Sequence, residues 1–160
     1  SKLHEAIEEK SERKSKIFKN NLPAFSLTYP EDLIELKPNP MIFPSKKPVF
    51  IASKSPGFDL LIFVYKSTKY RLEKAAQRIA KRIKHRASEV NIISNEPITL
   101  KDGTSAYESV IEFKSAGIFK AKSIHLVVIK YDHRIRISIF TNANYFNDNL
   151  RDILHSLEFD

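Results

Sequence analysis

What most limits how this chain can fold is a repeated pairing of β-rich runs across links short enough to be hairpins. Val90 to Leu100 and Ala106 to Phe113 flank Lys101-Asp102-Gly103-Thr104, where Asp-Gly supplies the positive φ that a tight turn demands. Lys122 to Tyr131 and Arg134 to Thr141 repeat the scheme around Asp132-His133. Earlier, Val49 to Ser53 and Leu60 to Tyr65 are joined through Ser55-Pro56-Gly57, which is turn chemistry between two apolar runs. Such links pair strands antiparallel, because a parallel pair needs a crossover of about a dozen residues or more. A mainly antiparallel sheet follows.

The rest of the chain is arranged around that sheet. From Pro23 the pattern has period two, with Phe25, Leu27 and Tyr29 on one face and Ser26 and Thr28 on the other, until Pro30 ends the run. A second run, Leu33 to Lys37, leads into Pro38, Pro40, Pro44 and Pro48, which lack the donors a sheet ladder needs and predict a rigid loop with Met41, Ile42 and Phe43 tucked under it. Tyr70 to Ala87 predicts a helix, since Leu72, Ala76, Ile79 and Ile83 recur at helical spacing with no Gly or Pro between them. Asn142 to Phe146 is expected to open a last helix whose stripe is Phe146, Leu150, Ile153, Leu154 and Leu157. At the other end, residues 2 to 18 read as a helix with a polar middle, steadied by the acid-first pairs Glu9/Arg13 and Glu12/Lys16. The expectation is an α+β protein: a helical arm or spacer over 1–20, then one domain over 21–160 built as an α/β/α sandwich around the sheet.

Composition narrows the chemistry. A chain of 160 residues with 42% hydrophobic residues can bury a core of its own. It has no Cys, so thiolate catalysis, cysteine-zinc sites and redox pairs are excluded. Its three glycines, Gly57, Gly103 and Gly117, cannot build a phosphate-cradling glycine loop, and the GxSxG nucleophile elbow is absent. His4, His85, His125, His133 and His155 fall in different elements without metal-ligand spacing. Asp132 beside His133 is no acid-base dyad, since adjacent side chains diverge, and Glu31-Asp32 reads as turn or cap chemistry. No catalytic residue, metal or cofactor is assigned, and the chain is read as a non-enzyme. No run approaches the roughly 20 apolar residues of a membrane-spanning helix.

Charge is the strongest local feature. Residues 66–87 hold nine Lys and Arg against Glu73, while the remainder balances eighteen of each sign, so the whole formal net charge of +8 lies in one helix and its lead-in. Arg71, Lys74, Arg78, Lys81, Arg82 and His85 lie opposite the apolar stripe and form the candidate anion- or partner-binding face. A protein partner or an anionic envelope component ranks ahead of nucleic acid, because no RRM-type aromatic motif and no helix-turn-helix pattern accompanies the charge. The plain alternative is a solvated face that keeps the protein soluble.

Phe25-Ser26-Leu27-Thr28-Tyr29-Pro30 resembles the opening strand of the PsbP-like superfamily, where an aromatic-rich strand runs into a Tyr-Pro turn. Ile98 to Ala106, with its Asp102-Gly103 hairpin, and the closing Leu150 to Phe159 helix ending Ser156-Leu157-Glu158-Phe159 resemble its later landmarks, so the likeness spans about residues 23 to 160. Photosynthetic members often carry Trp after the Tyr-Pro turn, where this chain has Glu31-Asp32-Leu33. The superfamily takes in photosystem accessory proteins, exported bacterial lipoproteins and a Mog-type Ran-release factor. The resemblance implies an α/β/α sandwich and a non-catalytic accessory or binding role. The sequence opens at Ser1 without Met and runs straight into charged residues, which fits either a chosen boundary of the expressed piece or a targeting segment removed upstream. The expected setting is extracytoplasmic, periplasmic or tethered as a lipoprotein; the alternative is a cytosolic regulator that binds an acidic protein or nucleic acid through residues 66–87.

Overall fold

The computed structural model describes residues 15–39, 41–42, 46–66 and 70–160. In chain order the elements are β1 (Ser15–Asn21), β2 (Ala24–Pro30), β3 (Ile34–Leu36), β4 (Phe50–Lys54), β5 (Phe58–Tyr65), α1 (Leu72–Arg86), β6 (Ser88–Thr99), β7 (Ser105–Ser115), β8 (Phe119–Lys130), β9 (His133–Asn142), a 3-10 turn (Ala143–Tyr145), α2 (Asn149–His155) and β10 (Glu158–Phe159). The main sheet has seven strands in the order β3-β4-β5-β9-β8-β7-β6, and a smaller sheet has the order β1-β2-β10. Every pair among them is antiparallel.

The hairpin chemistry is realised at the turns. Gly103 has φ +87, and Asp102 Oδ1 accepts a hydrogen bond from the Thr104 amide at 2.9 Å. Between β8 and β9 the positive φ values fall on Tyr131 and Asp132, at 52° and 60°, the pair of left-handed residues that suits a two-residue turn to the twist of its strands. Pro97, opposite Tyr107, is tolerated because β6 is an edge strand whose outer side has no ladder to complete.

The main sheet is covered on both faces, as the sandwich requires. Along β8, Ile124, Leu126 and Val128 enter one apolar cluster and Val127 another, the alternation that strand pleating dictates. The larger cluster joins that first face to Phe25, Leu27 and Tyr29 of β2 and to Leu150, Ile153, Leu154 and Leu157 of the α2 segment. On the opposite face α1 seats Ala75, Ala76, Ile79 and Ala80 against Ile111 and Val127. Ser156 ties α2 to β2, its Oγ accepting from the Thr28 amide at 2.9 Å and donating to the Thr28 carbonyl at 3.1 Å.

Four sequence expectations are corrected here. Residues 15–18 do not end a helix: they are the first part of β1, paired from Ser15↔Pro30 through Phe18↔Leu27, and Phe18 packs its ring 4.6 Å from that of Phe50. The rest of the expected arm, including Glu9/Arg13 and Glu12, lies outside the described residues. Met41 and Ile42 are not tucked under the proline loop but are 89% and 63% exposed, while Phe43 lies outside the described residues. The last helix does not open at Asn142, since a 3-10 turn and a break precede α2. Nor does it run to Phe159: Glu158 and Phe159 pair with Ser26 and Phe25 of β2.

Candidate anion-binding site

The residues singled out in the sequence are carried by α1. Its apolar residues at 75, 76, 79 and 80 commit one side to the sheet, so the basic positions are left on the outside and along one margin. Glu73 in the first turn and Lys84, His85 and Arg86 in the last complement the helix dipole, and Arg71 precedes the helix without a side-chain cap. Lys74, Arg78, Lys81, Arg82 and His85 together with Gln77 line an open hollow of about 410 Å³. Arg71 is exposed and does not join that lining.

Two further arginines stand beneath this margin. Arg134 and Arg136 project from β9, which the strand order places in the middle of the main sheet. They meet Arg78 and Arg82 of α1 across a narrow cleft of about 10 Å³, also lined by Tyr65, Ala75, Ile79 and Val127. Aromatic rings hold the guanidinium groups in place. Directly across from β9, Tyr65 lies 4.2 Å beneath the Arg134 guanidinium and Phe63 lies 4.2 Å beneath that of Arg136. Tyr70 receives a hydrogen bond from Arg78 at 2.8 Å, and its ring is 4.4 Å from the same guanidinium. Lys46 Nζ stands 5.6 Å from the centre of the Tyr65 ring.

No carboxylate among the described residues balances this group. Among the described residues the ion pairs join Lys54 to Asp32, Lys114 to Glu89, Lys122 to Glu112, Lys130 to Asp102, Arg151 to Glu108 and Asp148, and His155 to Glu108; the four arginines enter none of them. Arg136 Nε is sealed from solvent and has no hydrogen-bond partner. Burial pushes the Arg136 guanidinium down to about 10, with Arg82 and Arg134 acting in the same direction and Tyr65 against it. Arg134 is lowered chiefly by burial as well, with Arg82 and Arg78 adding to it. Both remain cationic at neutral pH, so the cleft gathers positive charge that none of the described residues in its lining neutralises.

The histidines do other work. His125 is 1% exposed, and its two ring nitrogens lie 2.7 Å from Ser138 Oγ and 2.8 Å from Ser123 Oγ. Burial, with Arg136 nearby, holds its pKa down to about 3, so it is a neutral cross-strand strut. This serine-imidazole contact is walled off from substrate, which separates it from a nucleophile-base pair. His133 Nδ1 sits 2.7 Å from the Tyr131 carbonyl within its own turn. His155 donates to Glu108 at 2.5 Å, and Arg151 Nε donates to the other oxygen of Glu108 at 2.8 Å. His85 is exposed in the basic hollow, and His4 lies outside the described residues.

Arg134 and Arg136 were not among the sequence candidates. Their signal is faint: in Arg134-Ile135-Arg136-Ile137 they alternate with core residues and so resemble the wet face of a strand. Only the central place of β9 and the helix above it turn that face inward.

No protein-family model and no curated protein matches this sequence. Solved structures do share its fold. The solution structure of the cyanobacterial PsbP, CyanoP, from Synechocystis sp. PCC 6803 matches with a TM-score of 0.70 over 92% of this chain and 93% of its own, at 10% identity. The Saccharomyces cerevisiae Ran-binding protein Mog1p matches with a TM-score of 0.59 over 91% of this chain and 95% of its own, at 9% identity. A Bacteroides thetaiotaomicron protein matches at 0.58 and 15% identity, and this chain spans 49% of its length. The fold is therefore the one that the PsbP-like resemblance implies, and likeness at these identities speaks for the fold alone.

Proposed function

We propose that this chain is a non-catalytic accessory or binding domain that docks an anionic partner on the exposed side of α1. The observation that carries this reading is the hollow formed by Lys74, Arg78, Lys81, Arg82 and His85, with no carboxylate among the described residues of its lining. Docking is electrostatic rather than insertional, because the apolar side of the helix is spent on Ile111 and Val127. An anionic envelope surface suits a shallow face that offers several cations at once, each Lys or Arg contributing about 1 kcal/mol near such a surface. An extracytoplasmic, tethered setting belongs to this reading through the family resemblance, and cell fractionation of the native protein tests it.

A second reading, an acidic protein partner, draws on the shared fold with Mog1p, which is a Ran-binding protein. Both readings are tested with vesicles of phosphatidylglycerol and phosphatidylcholine beside polyglutamate. Binding to one anionic probe should fall steeply with salt. Lys74→Glu with Lys81→Glu, both exposed positions, should weaken it by at least about a hundredfold. Salt-insensitive binding, or binding that survives the double reversal, would sink the proposal.

A further inference from the structure

We propose that the cleft between α1 and β9 is a slot for a phosphate monoester, in which Arg78, Arg82, Arg134 and Arg136 close on one doubly charged group. This rests on the docking reading above and names the chemical group the basic face selects.

Three observations converge on it. First, four guanidinium groups from two elements face one cleft with no carboxylate among the described residues that line it. Arg78, Arg134 and Arg136 are partly buried and Arg82 is exposed at the rim; gathering like charges at a partly dry cleft is unfavourable unless a counter-charge arrives, and an anion would supply it. Second, Arg136 Nε is a sealed donor without an acceptor. Buried donors are nearly always satisfied, and Arg136 lines the cleft, so an oxygen seated against it can supply the missing acceptor. Third, the cleft measures about 10 Å³, room for about one water-sized atom. It adjoins the hollow of about 410 Å³ through the shared residues Arg78 and Arg82.

The two-tier shape decides the chemistry. A carboxylate that sends one oxygen inward toward Arg136 keeps a single oxygen for three other guanidiniums and brings one charge to four. A phosphate monoester sends one oxygen inward, keeps two terminal oxygens for Arg78, Arg82 and Arg134, and carries a charge of about −1.5 to −2 at neutral pH. A diester falls between, with one charge and two free oxygens. The ester oxygen then points into the hollow, where Lys74, Lys81 and His85 flank whatever the phosphate is attached to. Tyr70, Tyr65 and Phe63 already lie against the guanidinium groups of Arg78, Arg134 and Arg136, so little freedom of these three side chains is lost when the anion enters.

The test uses the full chain, calorimetric titration with glycerol 1-phosphate and acetate, and sedimentation with vesicles containing phosphatidic acid or phosphatidylglycerol. Glycerol 1-phosphate should bind at least about tenfold more tightly than acetate, and phosphatidic acid vesicles more tightly than phosphatidylglycerol vesicles at equal surface charge. Preference in the soluble arm identifies a free phosphomonoester as the source, and preference confined to vesicles identifies a lipid headgroup. Arg136→Met, which keeps an unbranched chain over Phe63, and Arg134→Gln should each cost about tenfold or more in that preference. Urea unfolding of Arg136→Met separates binding from folding: relief of the uncompensated charge should leave its stability equal or higher. No phosphate preference in either arm, or a preference unchanged in both variants, would overturn the slot. If salt-sensitive docking persists without phosphate preference, the slot fails and the docking surface stands; if glycerol 1-phosphate binds while vesicles and polyglutamate do not, the reverse holds.

Discussion

Mild acid should destabilise this protein through one residue, His125. Its imidazole is 1% exposed, bridges Ser123 and Ser138, and has its pKa held down to about 3 by burial, with Arg136 contributing. An unfolded histidine titrates near about 6.5. Between these values the unfolded chain binds a proton that the folded chain refuses, so stability is full above about pH 6.5 and is lost as the pH falls toward about 3. Each unit of that window is worth about 1.4 kcal/mol, and going from about pH 7.5 to about pH 5 removes about 2 kcal/mol. Against a typical total of about 5 to 15 kcal/mol this is a large share. Urea unfolding followed by far-ultraviolet circular dichroism at several pH values measures it. His125→Gln keeps a group that can donate and accept between the two hydroxyls but cannot take up the proton. The variant should start somewhat less stable and then lose about 2 kcal/mol less than the parent over the same interval. Parallel loss in parent and variant would refute the assignment and move the acid sensitivity to other groups.

Two further substitutions probe the frame that holds the site. Glu108→Ala strands Arg151 and His155, which reach the buried carboxylate at 2.8 and 2.5 Å; because both partners are over a third exposed and can turn to water, the cost should be about 2 kcal/mol in urea unfolding. Gly103→Ala adds a Cβ that meets nothing within 4 Å at a φ of +87, so any loss is backbone strain alone, about 1 to 2 kcal/mol, and a change below about 0.5 would contradict it.

The strands and the first helix were legible because each carries its signal locally. Leu72, Ala76, Ile79 and Ile83 mark α1 by spacing, and Asp102-Gly103 marks its hairpin by conformation. β1 was illegible because only Ile17 and Phe18 are apolar in it, and Lys16 stands four residues after Glu12, an acid-first spacing that suits a helix. Its strand state comes from pairing with β2 and from the packing of Phe18 on Phe25 and Phe50. The same holds for β10, two residues whose conformation is set by Phe25 and Ser26 far away in sequence. The outer half of the basic site could be read from helical spacing, whereas the inner half depended on which strand would be central.

That division has a physical basis in how the two faces of the sheet are filled. One face is closed by branched and aromatic side chains, among them Leu27, Leu60, Ile62, Leu126, Ile137, Ile139 and Leu154, all buried to 0% exposure. Area buried there supplies most of the hydrophobic stabilisation, at about 25 cal/mol per Å². The other face is thinner and more polar: His125, Ser123, Ser138 and Arg136 share it with Val127 and Ile111. Polar groups are tolerated in that layer because the opposite face carries stability independently of them. The helix above it meets the sheet with Ala75, Ala76 and Ala80, short side chains that let the two backbones approach. Close approach is what lowers Arg78 and Arg82 to the level of Arg134 and Arg136, and Ala75 itself lines the cleft they share. The small residues of α1, which carry no charge, thus set how near the arginines of the two elements lie.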